Sequence, residues 1–389
     1  MDTLIDLGKI PLVNNLCDTA EDSLDAEEFP LKLLIEDDLT IFLDTKIDPA
    51  KMFSNYLYRS TINVPYIEHC KKMWHGIKSM LPEKPTIIDI GGNDGALLDA
   101  FRSASDGEME MHNFDACADF EEDNRAKGIE FHSGFWGEER LEIGADCITS
   151  TNVFQHNNDA ERFVSAISGS MHGIWVLEFP YFLTTAKTLQ FDQAYHEHYY
   201  YWLVKPLSIL FSKYGLSIVS ISEHDIHGGT IRLVSSNKKE IVDLYCEEGM
   251  DHCDDVQAYI NIEESFDFGE WGNQVRKKID SDRVFLEKIC SEYSVAAFGA
   301  AAKGCTYLSC IDSDILDNSI RYVVDDTKHK QNKFIPGTGI KIVPRDLLIQ
   351  DQPEYLIVLA HNFAEYVAES LKGEYTGKII SMFPEVKFH

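Results

Sequence analysis

Twice along this 389-residue chain a short apolar run breaks into a glycine-bearing turn and resumes in a helical pattern. The first, TIIDI at 86–90, passes through GGNDG into ALLDAFRSA; the second, VAAFGA at 295–300, passes into AAKGCTYL. A short run that is apolar at almost every position suits a strand covered on both faces, which means a parallel sheet between helices. Each series continues. MEMHNFD (109–115), IEFHSG (129–134), ADCITSTNVF (145–154) and IWVLEFP (174–180) follow the first, with helices expected in the 117–127 and 159–171 gaps. A helix near 205–214 and the pair LSIVSISEHD and TIRLVSS, read as an antiparallel hairpin, close it. IRYVVDD, IKIVP, YLIVLA and KIISMFP extend the second.

The fold class expected is therefore α/β: five parallel strands and a closing hairpin, the strand sequence of a class I methyltransferase sheet, then a second Rossmann-like domain. The domains expected are 1–73, small and N-terminal; 74–236, cofactor-binding; 237–289, an acidic helical connector; and 290–389, substrate-binding. Within the first, FPLKLLIEDDLTIFLDTKIDP alternates as a strand or hairpin, and 66–81 has helical spacing.

Charge limits the partners. Thirty-five Lys and Arg stand against 65 Asp and Glu, a formal net charge of -30. Such a field repels phosphate backbones and anionic lipid, so neither nucleic acid nor a membrane surface is expected as partner. The nine cysteines form no CxxC pair, which fits reduced thiols and a cytoplasmic location. The N-terminus lacks the basic and apolar regions of a signal peptide.

IDIGGNDGALL is the sharpest local signal. Glycines after a first strand let a ligand approach the backbone, and the next helix offers free N–H groups. A dinucleotide fingerprint needs GxGxxG, and position 93 is Asn. Asp89, at the strand's end, suits the amino-acid part of S-adenosylmethionine, and Asp115, ending the second strand, suits its ribose hydroxyls. Asn152, Phe154 and His156 fall at the ligand-gathering edge of the fourth strand. The densest cluster is FDQAYHEHYYYW at 191–202. Its His and Glu residues are metal-ligand types, but without HExxH spacing the acid–base reading is the stronger one, beside that of an aromatic packing loop. FGAAAKGC could seat a phosphate against Lys303.

This spaced series resembles the sugar C-methyltransferases, enzymes that methylate carbon in nucleotide-linked 4-keto-6-deoxy sugars. DLGKIPLVNNL, YLYRS, IDIGGNDGALL, NVFQH, LEFPYF, FDQAYHEHYYYW, HGGTIRL, GAAAKGCTYL, YVVDDTKHKQNKFIPGTGI and LAHNF carry the resemblance over nearly the whole chain. It implies S-adenosylmethionine held by Asp89, Gly91, Gly92, Asn93, Asp115 and Asn152. It implies His198 as base, with Glu197 orienting it, and Tyr195 and His196 on the developing oxyanion. Tyr56 or Tyr58 should reach the site, and His227, Arg232 and Lys303 should contact a nucleotide-linked keto sugar. Three departures stand out. The family's N-terminal cysteine pairs are absent, so no zinc and no other metal site is expected. Ala301 and Cys305 replace a proline and an asparagine, and His361 replaces a tryptophan; both changes fall on the substrate side. An O- or N-methyltransferase, a non-catalytic sugar-nucleotide or cofactor binder, and a nicotinamide oxidoreductase are the alternatives.

Overall fold

The computed structural model describes residues 1–48, 52, 60, 64–138, 143–226, 228–247, 252–311 and 319–389. Three sheets organise them. Strand β1 (Asp2–Pro11), β2 (Glu28–Ile35) and β3 (Ile41–Leu43) form an antiparallel sheet. The central sheet is built from β4 (Thr86–Ile90), β5 (Glu110–Asp115), β6 (Glu130–Ser133), β7 (Ala145–Thr151) and β8 (Met171–Pro180). Strand β9 (Tyr200–Tyr201) belongs to neither series: it leaves the central domain and pairs with β3 as the fourth strand of the N-terminal sheet. The hairpin β10 (Ser217–His224) and β11 (Thr230–Ser236) completes the central sheet, in the order β10-β11-β8-β7-β4-β5-β6.

Five parallel strands with β11 inserted antiparallel beside β8 is the class I methyltransferase topology. The sequence makes it so because Ile87, Ile88 and Ile90 of β4 are all buried, the condition for a central strand covered on both faces. On one face, helix Val64–Ile77 packs through Cys70, Met73 and Trp74 against Leu97 and Phe101 of helix Ala96–Ala104. On the other, Phe154, Phe163, Trp175 and Phe211 form a continuous aromatic core.

The last sheet comprises β12 (Val295–Phe298), β13 (Ile320–Val324), β14 (Ile342–Val343), β15 (Tyr355–Val358), β16 (Lys378–Ser381) and β17 (Lys387–Phe388). Its order is β14-β13-β12-β15-β16-β17, parallel except for the last strand. Sequence reading found all of these but β17, and in the N-terminal segment it found the β2–β3 hairpin but not β1. Helices Lys239–Glu247, His252–Ser265 and Phe268–Glu292 fill the acidic stretch between the two α/β series.

Helix Phe268–Glu292 ties the sheets together. Its apolar face, Trp271, Val275, Ile279, Leu286 and Ile289, recurs at helical spacing and is buried. A Cβ on Gly272 would stand 2.4 Å from the Leu4 carbonyl oxygen, so glycine is what lets β1 seat there. Farther along, Lys278 donates to the Met382 carbonyl at 2.6 Å, and the Tyr307 hydroxyl donates to Asp282 at 3.1 Å. The N-terminal sheet is held by packing: Ile5, Leu31, Leu33 and Ile41 are wholly buried in the shared core.

Candidate active site

The turn after β4 is positioned by hydrogen bonds from the next strand. Gly91 N–H donates to the Phe114 carbonyl at 2.7 Å, Gly92 N–H to Asn113 Oδ1 at 3.1 Å and Asn93 N–H to Asp115 Oδ2 at 2.9 Å. Gly91, Asn93 and Gly95 have φ of 65, 53 and 76°, the left-handed region that Gly and Asn enter at least cost. A Cβ on Gly92 would meet Asn113 Oδ1 at 2.5 Å and Asp89 Oδ2 at 2.7 Å. Asp89 is buried and accepts from the Thr149 hydroxyl at 2.7 Å; burial pushes its carboxyl up to about 7. A cationic ligand group beside it would restore its charge. Asp115 takes N–H donors from Asn93 and Cys117, one on each oxygen, which leaves lone pairs over for a ligand. Asn152, at φ 55°, follows β7 at the same edge of the sheet. The predicted cofactor residues are thus brought to one place, and the tight, N–H-lined turn with an uncompensated acid fits S-adenosylmethionine.

The HEH segment spreads its three side chains. His198 Nδ1 faces the Gln193 carbonyl at 3.1 Å; a carbonyl only accepts, so Nδ1 carries the proton and Nε2 the lone pair. The Tyr195 hydroxyl lies 2.8 Å from that Nε2 and donates to it. Burial, then the nearby His156 and Lys303, hold His198 well below the usual histidine range, so it is neutral. His156 stands edge-on to it at 4.8 Å, donates from Nδ1 to the Glu197 carbonyl and is pushed down to about 4 by burial. The structure does not bring the other two predicted members to His198. His196 Nε2 donates instead to the Pro30 carbonyl at 3.2 Å, and the Glu197 carboxylate accepts twice from the Asn14 amide, at 2.6 and 2.8 Å. Burial raises Glu197 to about 7. Alternate residues in an irregular turn take different directions, and no spacing rule predicts which.

Next to the Tyr195–His198 pair is a group of polar atoms with no partner. Asp192 Oδ1 and Oδ2, Gln190 Oε1, Gln193 Nε2 and both nitrogens of His361 are buried and make no hydrogen bond among the described residues. His361 Nδ1 lies 3.5 Å from Asp192 Oδ2, and Lys303 projects to the same spot, within 3.0 Å of where a Gly228 Cβ would be. Burial raises Asp192 to about 7, opposed by the Lys303 charge. Buried polar groups in native proteins nearly always have partners, so such a concentration marks a place that a polar ligand completes. Gln190, Asp192 and Gln193 come from the catalytic segment and Lys303 and His361 from the C-terminal domain. The sequence drew attention to Lys303 and His361, and to the 191–202 segment as a whole without singling out Asp192 or Gln193; Gln190, just before it, carried no signal.

Arg232 is occupied otherwise. Its Nε donates to Glu178 at 2.6 Å, and His69 Nε2 lies 2.9 Å from both oxygens of the same carboxylate. Burial alone would raise Glu178; His69 and Arg232 outweigh it and hold it down. The Asn152 N–H donates to the Glu178 carbonyl, which places this group against the cofactor edge. His69 and Glu178 were missed because His69 stands over 100 positions from either partner in the chain. Tyr56, Tyr58 and His227 lie outside the described residues.

A family model described as the C-methyltransferase C-terminal domain matches residues 225–384. C-methyltransferase NovU of Streptomyces niveus is 25% identical over 403 residues, covering 98% of this chain and 93% of that one. Together these likenesses support the resemblance to the sugar C-methyltransferases over nearly the whole chain. The chain is an S-adenosylmethionine-dependent C-methyltransferase. Among solved structures, CalS10 of Micromonospora echinaspora, described as an amino pentose methyltransferase, has a TM-score of 0.36 with 12% identity over 47% of this chain and 99% of that one. The magnesium protoporphyrin IX methyltransferase ChlM of Synechocystis has a TM-score of 0.36 with 13% identity over 50% of this chain and 86% of that one. No helix among the described residues of the methyltransferase is long and apolar enough to cross a membrane.

Proposed function

We propose that this methyltransferase acts on a nucleotide-linked 4-keto sugar, removing a proton beside the keto group to make an enolate as the carbon nucleophile. The observation that supports it best is the neutral His198–Tyr195 pair set against the unpartnered polar atoms of Gln190, Asp192, Gln193 and His361. A hydroxyl-rich ligand satisfies such atoms; an apolar acceptor leaves them orphaned.

When bound at the GGNDG turn, S-adenosylmethionine supplies an electrophilic sulfonium methyl. The chain's own residues make the nucleophile. His198 takes the α-proton on Nε2, its Nδ1–H held by the Gln193 carbonyl. With Nε2 protonated, the Tyr195 hydroxyl is released to donate to the oxyanion forming on O4. Lys303 adds positive charge on the C-terminal side, where it can face O4 or the diphosphate. The seven cysteines whose side chains are described are all free, which supports a cytoplasmic setting.

The test is turnover with S-adenosylmethionine and a panel of nucleotide-linked 4-keto sugars, followed by mass spectrometry. The expected product is heavier by one methylene, and solvent deuterium enters the α-carbon when methyl transfer is withheld. His198→Asn should lower kcat by about 10²–10⁴-fold while S-adenosylhomocysteine still binds. An O-methylated product, or exchange unaffected by His198→Asn, rejects the enolate route.

A further inference from the structure

Strands β5 and β6 each carry the triplet Glu-x-His: Glu110-Met111-His112 and Glu130-Phe131-His132. They pair in parallel with His112 opposite Glu130, so all four side chains share one face of the sheet. There His112 Nδ1 and His132 Nε2 stand 3.1 Å apart, and the Glu130 carboxylate lies 3.6 Å from the first and 3.8 Å from the second. Ligands about 2.0–2.1 Å from one tetrahedral zinc ion are about 3.3 Å from each other, so the triangle has close to the dimensions of one face of such a site. The other nitrogen of His112, Nε2, is buried without a hydrogen bond and has Glu110 Oε1 3.3 Å away, in contact but poorly aligned. A carboxylate behind a ligating imidazole is the usual outer-shell partner, fixing the ring so that its far nitrogen faces the metal.

We propose that His112 Nδ1, His132 Nε2 and the Glu130 carboxylate bind a divalent transition cation of the zinc class, with Glu110 as outer-shell support. The three ligand atoms converge within 4.8 Å; a proton shared by the two imidazole nitrogens holds that pair alone, and a cation that replaces it engages the carboxylate as well. His112 is buried, whereas both glutamates are largely exposed and border an open cleft lined also by Lys84, Thr86, Glu108 and Gly128, which gives an ion a route in. The site shares no residue with those proposed for methyl transfer and needs no part in it. It clips the edge strand β6 to β5, the strand that ends three residues later in Asp115. It also differs from what the sequence led us to expect, which was no metal at all: ligands alternating along two strands match none of the helical or CxxC spacings.

The experiment uses the full-length protein stripped with a chelator, titrated with zinc chloride by calorimetry and followed by thermal melting. One ion per chain should bind saturably and raise Tm. His132→Gln and Glu130→Gln should each weaken binding by about 100-fold or more, and Glu110→Gln by about 10–100-fold, the usual cost of an outer-shell loss. His112 is buried and its replacement could unfold the domain, so the three more exposed positions carry the test, with retained S-adenosylhomocysteine binding showing that each variant is folded. If the stripped protein takes up no zinc saturably, or if His132→Gln binds it as wild type does, the contact is a plain His–His hydrogen bond and the proposal fails.

Discussion

The turns after β4 and β12 are locked in the same way and differ in what they leave open. In each, a glycine with positive φ donates to a carbonyl of the neighbouring strand: Gly91 to Phe114 at 2.7 Å, Gly299 to Val324 at 2.8 Å. In each, an acid ending the second strand accepts from the turn and from the residue two positions on: Asp115 from Asn93 and Cys117, Asp325 from Ala300 and Thr327. The first turn has Asp89 two residues before its glycine, where the second has Ala297. The second turn is also stoppered from within, since Lys330 donates to the Ala300 carbonyl at 2.8 Å and pairs with Asp325 at 3.8 Å. The lesson is that the shared lock sets the fold of a Rossmann-like turn, and that the two turns differ in the acid inside the first strand and in the lysine that closes the second.

The sharpest way to break this comparison is a side chain in each turn. Gly92→Val drives a Cβ into Asn113 and Asp89 and should weaken S-adenosylhomocysteine binding by about 100-fold, the equivalent of roughly 3 kcal/mol of overpacking. Ala301→Val, at an extended position in the second turn, should leave that affinity unchanged by calorimetry. Equal losses would mean that both turns serve the cofactor.

Next in size is a pH effect confined to the first turn. Asp89 is raised to about 7 in the folded chain and is near 3.8 when unfolded. The native state therefore holds a proton that the unfolded state has lost between those values. Asp89 thus costs stability as pH rises through that window, and the cost is complete above about 7. A ligand ammonium favours the ionised carboxylate. S-adenosylhomocysteine affinity should thus rise with pH by up to about tenfold per unit below 7 and level off above. Asp89→Asn should flatten the profile and, at pH 8, melt higher than wild type without ligand.

The smallest effect sharpens the comparison from the other side. Asp325→Asn should cost about 1–3 kcal/mol of stability in denaturant by loosening the second turn, and leave cofactor affinity intact. Asp115→Asn should lower both. If Asp325→Asn weakened the cofactor as well, the two turns would be coupled through the catalytic segment.

These contrasts also show what could be read beforehand. Strand–helix alternation and the order of glycines and acids were legible because both are local: apolar runs recur at short spacing and turn chemistry is set within five residues. The directions of His196, Glu197 and His198 were not: Pro30 and Asn14, far along the chain, fix the first two, and Tyr195 and the Gln193 carbonyl fix the third within an irregular turn that no spacing rule describes. Nor was the His69–Glu178–Arg232 triad, whose members meet only once β8 and β11 have paired. Tyr200 and Tyr201 read as part of a catalytic cluster, and their backbone proved to be a strand of another sheet.

That strand has a consequence for the order in which the chain can be built. When β1 to β3 have left the ribosome, the outer edge of β3 has unpaired backbone groups facing solvent, and its partner at 200–201 has yet to be synthesised. An open edge is a template for pairing with a neighbouring chain. The nascent protein therefore carries an adhesive border for more than 150 residues, and the arrival of the 191–202 segment both closes that border and sets His198 beside it.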